Sequence, residues 1–247
     1  MTVGAVLPPL EQRRIGVVVP YDMALDREMW RWAPYDVSLH FTRTPYLDLD
    51  VTLEMVESVG DLAIIRQCAR DLCATEPEVY LYACTSGSFA GGLQHEAQIT
   101  QALTRDDRPG ITTSGALLQA LRALDVSAIA VATPYTVEIT ERLVAFLDEA
   151  GLEVVEVAQL RRTRDIWKIP CAETRDLVRA ADSPAADAVF VSCTNLPTYD
   201  VIEALEDDLG KPVLTANQVT MWAGLRELGL PAMAGGQRLV AATEEIM

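Results

Sequence analysis

Two cysteines stand in matching surroundings, Cys84 in Tyr82-Ala83-Cys84-Thr85-Ser86-Gly87-Ser88 and Cys193 in Val191-Ser192-Cys193-Thr194-Asn195-Leu196. Each follows an apolar run that reads as a buried strand, and each opens onto a small polar turn and a helix. One such thiol per half of the chain suggests two sulfurs facing a single substrate from opposite sides. A free thiol titrates near pH 8.5, so its pKa must be shifted for it to work as a thiolate near neutrality. A turn that opens a helix supplies unpaired N–H groups and a positive dipole end. The same N–H groups suit a substrate carboxylate. Thr85, Ser86, Tyr135 and Thr194 add hydroxyl donors, able together to stabilise an enediolate as its charge grows. No lysine or arginine lies inside these motifs, so neutral donors carry the anion. The same residues also have plain structural uses: Thr85 and Thr194 as helix caps, Ser86 in the turn, Tyr135 as a packed aromatic.

Other chemistry is poorly represented. Cys68 and Cys73 lie in a helical stretch and read as packing residues, and Cys171 follows Pro170 at a helix start. The odd count of five cysteines fits reduced thiols in a cytoplasmic protein. His40 falls in a strand and reads as a satisfied ring; His95 lies too far along a helix to serve Cys84 directly. No metal-ligand or phosphate-loop spacing occurs, so neither a metal nor a cofactor is expected. With 36 acidic against 20 basic residues, a nucleic-acid partner is excluded, because phosphate neutralisation needs clustered Lys and Arg. No apolar run reaches the length of a membrane span, and the first ten residues lack the pattern of a signal peptide.

Strands and helices alternate along the whole chain. Strands are expected at 15–19, 38–43, 79–83, 109–113, 128–132, 152–157, 188–192 and 212–215. Helices are expected at 51–75, 89–103, 115–124, 137–150, 172–181, 198–209 and 219–228. Such alternation predicts right-handed crossovers and parallel sheets covered on both faces. Landmarks recur in order: Pro20-Tyr21 with Pro134-Tyr135, Cys84-Thr85 with Cys193-Thr194, and Thr112-Thr113-Ser114 with Thr215-Ala216-Asn217. The gaps from proline to cysteine are 64 and 59 residues. The fold expected is therefore α/β, two similar doubly wound lobes with parallel sheets related by a pseudo-two-fold axis. An N-terminal tail would cover 1–13, the first lobe 14–125 and the second 126–239, with segment 218–247 free to pack back on the first lobe. Ligands in such sheets bind beyond the carboxyl ends of the strands, which places the active site in the interlobe cleft.

These motifs resemble the aspartate/glutamate racemase superfamily, in the branch of maleate cis-trans isomerase, arylmalonate decarboxylase and the ectoine-utilisation racemase-like proteins. The resemblance runs from about Arg14 to Leu239 and is most specific at Ala83-Cys84-Thr85-Ser86, Thr133-Pro134-Tyr135, Val191-Ser192-Cys193-Thr194 and Ala216-Asn217-Gln218. It implies cofactor-independent chemistry beside a carboxylate. Racemases of the family use one cysteine to remove the α-proton and the other to supply one, whereas maleate isomerase-like members use one as nucleophile and one as acid and base. Decarboxylases carry one thiol only; this chain has both. On this resemblance Cys84 and Cys193 are catalytic, and Pro20, Tyr21, Asp22, Thr85, Ser86, Tyr135, Thr194 and Asn217 surround a small carboxylic acid. Homo-oligomers are common among members. The activity implied is a maleate isomerase-like isomerase; the alternatives are a racemase or epimerase of an amino or hydroxy acid, an arylmalonate-type decarboxylase, and a non-catalytic carboxylate binder. Two stretches depart from the maleate isomerase pattern. Asp22 stands where an asparagine is usual past the first proline, with either Arg27 or an amine or hydroxyl of the substrate as its expected partner, and Arg164-Asp165-Ile166-Trp167 replaces a second asparagine.

Overall fold

The computed structural model describes residues 11–234 and 236–244. Eight parallel strands form two sheets. They are β1 (Arg13–Val19), β2 (Val37–Arg43), β3 (Val79–Tyr82), β4 (Gly110–Thr112), β5 (Ala128–Thr133), β6 (Glu153–Gln159), β7 (Ala188–Val191) and β8 (Val213–Thr215). The first sheet has the order β2-β1-β3-β4 and the second β6-β5-β7-β8, so the two lobes repeat one topology. The central strands β3 and β7 are buried along their full length. This burial on both faces is why they read as unbroken apolar runs in the sequence.

The helices are α1 (Asp26–Met29), α2 (Leu53–Val59), α3 (Leu62–Asp71), α4 (Thr85–Phe89), α5 (Gly92–Leu103), α6 (Thr113–Ala123), α7 (Val137–Glu149), α8 (Cys171–Ala181), α9 (Ile202–Leu209), α10 (Ala216–Glu227) and α11 (Arg238–Glu244). Two expected long helices are broken. The stretch 51–75 divides at Gly60, where Asp61 caps α3 by accepting from the N–H groups of Ala63 and Ile64 at 2.9 and 3.0 Å. The stretch 89–103 divides at Gly91-Gly92; Gly92 takes a φ of +75°, which glycine adopts without cost, and the helical turn before it starts directly at Thr85.

The third pair of landmarks marks helix caps. Thr112 caps α6 and Thr215 caps α10, the latter in a capping box with Gln218. Residues 216–225 of α10 are all buried, so this helix lies inside the molecule. It packs on α6, with Thr113 Oγ1 and Thr220 Oγ1 2.7 Å apart, and on β3, where a Cβ on Gly224 would meet Leu81 Cδ1 at 2.9 Å. A helix that follows the second sheet thus seals the core of the first. Arg13 already belongs to β1, and residues 1–10 of the expected tail lie outside the described residues. No helix among the described residues is long and apolar enough to cross a membrane.

Candidate active site

Cys84 is placed by the end of β3. The Ala83 N–H still bonds Val18 O at 2.8 Å; the next residue, Cys84, leaves the ladder and becomes the N-cap of α4. Its sulfur lies under the first turn of that helix. It accepts from the Gly87 N–H and faces the hydroxyls of Tyr82 and Ser86. A side chain at position 87 would collide with the Tyr82 hydroxyl and stand 3.1 Å from the Cys84 sulfur, so glycine is needed for this approach. The Tyr82 hydroxyl is itself held by Val59 O at 2.8 Å.

Cys193 is placed differently. It does not open a helix: α9 begins only at Ile202, and Thr194 caps nothing. Instead Cys193 sits in a turn with φ +95°, a conformation that costs a side-chain-bearing residue about 1–3 kcal/mol. Contacts from the other lobe hold it there. The Cys193 N–H donates to Thr85 Oγ1 at 3.3 Å, and Thr194 Oγ1 donates to Ala83 O at 3.2 Å. Asn195 bridges the lobes, accepting from the Ala24 N–H at 2.9 Å and donating to Asp22 O at 3.0 Å. Behind the turn, Asn217 Nδ2 donates to Thr194 O at 2.9 Å and to Glu28 Oε1 at 3.2 Å. Glu28 also accepts from the Thr198 hydroxyl at 2.7 Å and the Thr198 N–H at 3.1 Å.

Both thiols line one small cavity of about 20 Å³ at the carboxyl ends of the central strands of both sheets. These ends are the topological switch points of the two lobes. The expected residues Pro20, Asp22, Thr85, Ser86, Tyr135 and Thr194 line it with them. Tyr135 hydrogen-bonds the Cys193 sulfur and accepts from Ser86. The cavity has room for about one water, so a substrate enters only when its walls part. Val51 and Ile166 close it, from a loop of each lobe. Those loops are joined by the Val51 N–H donating to Thr163 O at 2.8 Å and by an Arg164–Asp50 ion pair. Outside them lies a pocket of about 220 Å³ that shares Asp22, Val51, Ile166 and Asn195 with the inner cavity. A larger cleft of about 550 Å³, lined by Gly60, His95 and Arg142, contains neither thiol and is not where this chemistry is assembled.

The electrostatics differ from what helix dipoles alone suggest. Burial pushes the Cys84 thiol up to about 11 and the Cys193 thiol up to about 12. Hydrogen bonds from the Gly87 N–H to Cys84, and from Tyr135 and the Asn195 N–H to Cys193, oppose this without reversing it, while the Tyr82 hydroxyl beside Cys84 gives its proton to Val59 O. The Asp22 charge raises both thiols further. Burial also raises Asp22 itself, against a single hydrogen bond from its own backbone. Both thiols are therefore protonated in the empty site at neutral pH.

Two expected binding residues do not reach the cavity. Tyr21 turns to the outer pocket, where its hydroxyl donates to Leu49 O at 3.1 Å, so the Pro-Tyr repeat is not symmetric in use. Asn217 is buried behind the Cys193 turn, with its Oδ1 lacking a side-chain or backbone partner among the described residues, and supports the wall rather than lining it. Arg27 is exposed on α1 and no ion pair joins it to Asp22 among the described residues. His40 is not satisfied among the described residues: its Nε2 is buried with no hydrogen-bond partner there. His95 Nε2 lies 3.1 Å from Gly60 O, away from both sulfurs. Sequence reasoning missed Val51, Met55, Ile166 and Asn195 in the walls, and Tyr82 and Glu28 behind them. Tyr82 carried a signal, since a residue two before Cys84 shares its face of a strand. Asn195 followed the second Cys-Thr pair directly. Among the described residues no cluster of three or more His, Cys, Asp or Glu could hold a metal ion.

Residues 41–240 match the family model described as arylmalonate decarboxylase. The maleate isomerase of Nocardia farcinica is 29% identical over 246 residues, covering 92% of this chain and 95% of that protein. The arylmalonate decarboxylase of Bordetella bronchiseptica is 32% identical over 228 residues, covering 89% and 92%. Among solved structures, a cysteine-to-serine mutant of the Nocardia farcinica maleate cis-trans isomerase with a covalently bound succinylcysteine intermediate superposes with a TM-score of 0.84 at 28% identity, covering 92% of this chain and 98% of that one. A double mutant of arylmalonate decarboxylase in a liganded form gives 0.83 at 30% identity, covering 93% and 99%.

Proposed function

The chain belongs to the arylmalonate decarboxylase family, and from that membership we propose that it is a cofactor-independent isomerase of a small carboxylic acid, acting in the manner of a maleate isomerase through Cys84 and Cys193. The observation that carries this reading is the placement of two thiols, one from each lobe, in the wall of one cavity beside neutral hydroxyl donors. The substrate carboxylate rests on Ser86 and Tyr135. One sulfur releases its proton to water and adds as a thiolate to an alkene carbon, while the other thiol delivers its proton to the neighbouring carbon and is left as a thiolate. The former double bond is then single and turns. The second sulfur takes a proton back from that carbon, the C–S bond breaks with its electron pair returning to the first sulfur, and the resulting thiolate recovers its proton from water. The succinylcysteine held by the Nocardia relative supports the addition step.

Ionising the first thiol is the costly step, because both are held neutral by burial. The Gly87 N–H serves the Cys84 thiolate, and the Asn195 N–H and Tyr135 hydroxyl serve that of Cys193. Such preorganised donors act on charge as it forms.

A second reading rests on Asp22. A carboxylate in the wall, with no cation against it among the described residues, suits an amino or hydroxy acid better than a dicarboxylate. Opposed thiols would then exchange an α-proton, as in a racemase or epimerase. Incubating a panel of acids with the enzyme in D2O, followed by NMR, separates the readings. Isomerisation changes alkene couplings, and racemisation places deuterium at the α-carbon of recovered substrate. Carbon dioxide release from a malonate marks a decarboxylase. Binding without any turnover, unchanged in Cys84→Ser and Cys193→Ser, marks a carboxylate-binding protein.

A further inference from the structure

We propose that Asp22 selects a carboxylic acid bearing an ammonium group at the end that faces the outer pocket, in place of the second carboxylate of a dicarboxylate. The assignment rests on the isomerase reading for its chemistry, and on charge and geometry for the substrate class.

The site is polarised along its length. At the inner end the donors are hydroxyls, those of Ser86 and Tyr135, and among the described residues no lysine, arginine or histidine lines the cavity. This end accepts one carboxylate through neutral groups. At the outer end stands Asp22, in the wall shared by the inner cavity and the outer pocket. Its carboxyl accepts only from its own backbone and has no ion-pair partner among the described residues: the cations nearby in the loops are engaged elsewhere, Arg43 with Asp26 and Arg164 with Asp50. The outer pocket adds Asp48, Asp165, which pairs with Lys168, and Arg164, which Asp50 holds. An unpaired carboxylate in a poorly solvated wall is unfavourable until a ligand supplies a cation. A second carboxylate would meet Asp22 with like charge, whereas an ammonium group would form the charge-assisted hydrogen bond that the empty site lacks. Burial raises the Asp22 carboxyl in the empty protein.

Three four-carbon acids that differ only at the far end test this: succinate, 4-hydroxybutanoate and 4-aminobutanoate. Their dissociation constants are measured by NMR titration at pH 7.5 on the wild type, on Asp22→Asn, and on Cys84→Ser, in which chemistry is blocked. The Asp22 backbone carbonyl that accepts from Asn195 survives in Asp22→Asn, and the amide spectrum reports that the fold is kept. The expected result is binding of 4-aminobutanoate at least tenfold tighter than succinate, with 4-hydroxybutanoate between them. Asp22→Asn should reduce that preference at least tenfold. Succinate binding as tightly as 4-aminobutanoate in the wild type overturns the assignment, as does a preference unchanged in Asp22→Asn or binding of none of the three. The D2O panel keeps the two claims apart. An Asp22-dependent ammonium preference in a protein that turns over no acid defeats the isomerase reading alone. Turnover of dicarboxylates with succinate preferred defeats the Asp22 assignment alone.

Discussion

Replacing Tyr135 by phenylalanine removes one hydroxyl and leaves the ring, including its edge contact with Phe89 at 6.3 Å between centroids. The lost hydrogen bond is the one that favours the Cys193 thiolate. Hydrogen bonds to charged groups contribute about 1.5–3 kcal/mol. At about 1.4 kcal/mol per factor of ten, that amounts to about 13- to 160-fold fewer thiolates at a fixed pH. A more basic thiolate is a better nucleophile, and this returns about half of the effect on a logarithmic scale. The Cys193 alkylation rate should therefore fall by about 4- to 13-fold. The assay is labelling with iodoacetamide at about pH 9, between neutrality and the raised thiol pKa values, read by peptide mass spectrometry in wild type and Tyr135→Phe. Cys84 in the same molecule is the internal reference, because its sulfur leans on Tyr82 and Gly87 and shares the same opening of the cavity. Taking the ratio removes that opening step. Ser86 also loses an acceptor, so a small loss of stability, about 1 kcal/mol, should accompany the change. An unchanged ratio of Cys193 to Cys84 labelling would refute the assignment of Tyr135 as the donor to Cys193.

Further outcomes follow from the same geometry. With Cys84 pushed up to about 11 and Cys193 to about 12, labelling of either in the empty wild-type protein should climb about tenfold per pH unit from neutrality to about pH 10; a plateau near pH 8 would show a thiolate already formed. Glu28→Ala strands the Thr198 hydroxyl, the Thr198 N–H and the Asn217 amide. Partly offset by loss of a buried charge, this should cost about 2–4 kcal/mol in urea unfolding, and Glu28→Gln should cost less. A loss below about 0.5 kcal/mol would place no weight on this network. Asp22, Glu28 and Glu206 are all raised by burial, so their contribution is complete below the ordinary carboxylate range and is lost as pH climbs through their folded values. Glu78, Asp187 and Asp200 are lowered and lose theirs only on further acidification. Thermal unfolding should accordingly show a Tm that falls as pH climbs out of the ordinary carboxylate range, and a Tm that rises there would contradict it.

Much of the architecture was written in local pattern. Continuous apolar runs marked the buried parallel strands, and the repeated Pro-Tyr and Cys-Thr pairs announced a doubled topology, because strand ends in such sheets need turn residues and, at Thr112 and Thr215, hydroxyl caps. Both cysteines, Thr85, Ser86, Tyr135, Thr194, Pro20 and Asp22 could be picked out as cavity residues for the same reason: all follow a strand at its carboxyl end. What needed three dimensions was everything decided between lobes. The +95° turn at Cys193 is held by Thr85, Ala83, Asp22 and Ala24 from the first half of the chain, far away in sequence. Tyr21 and Tyr135 repeat in the sequence yet only the second reaches a sulfur, since Leu49 captures the first. The ionisation of the thiols was likewise beyond local reading. Helix-terminus N–H groups favour a thiolate, but the desolvation that outweighs them comes from walls such as Val51, Met55 and Ile166, which only folding brings together.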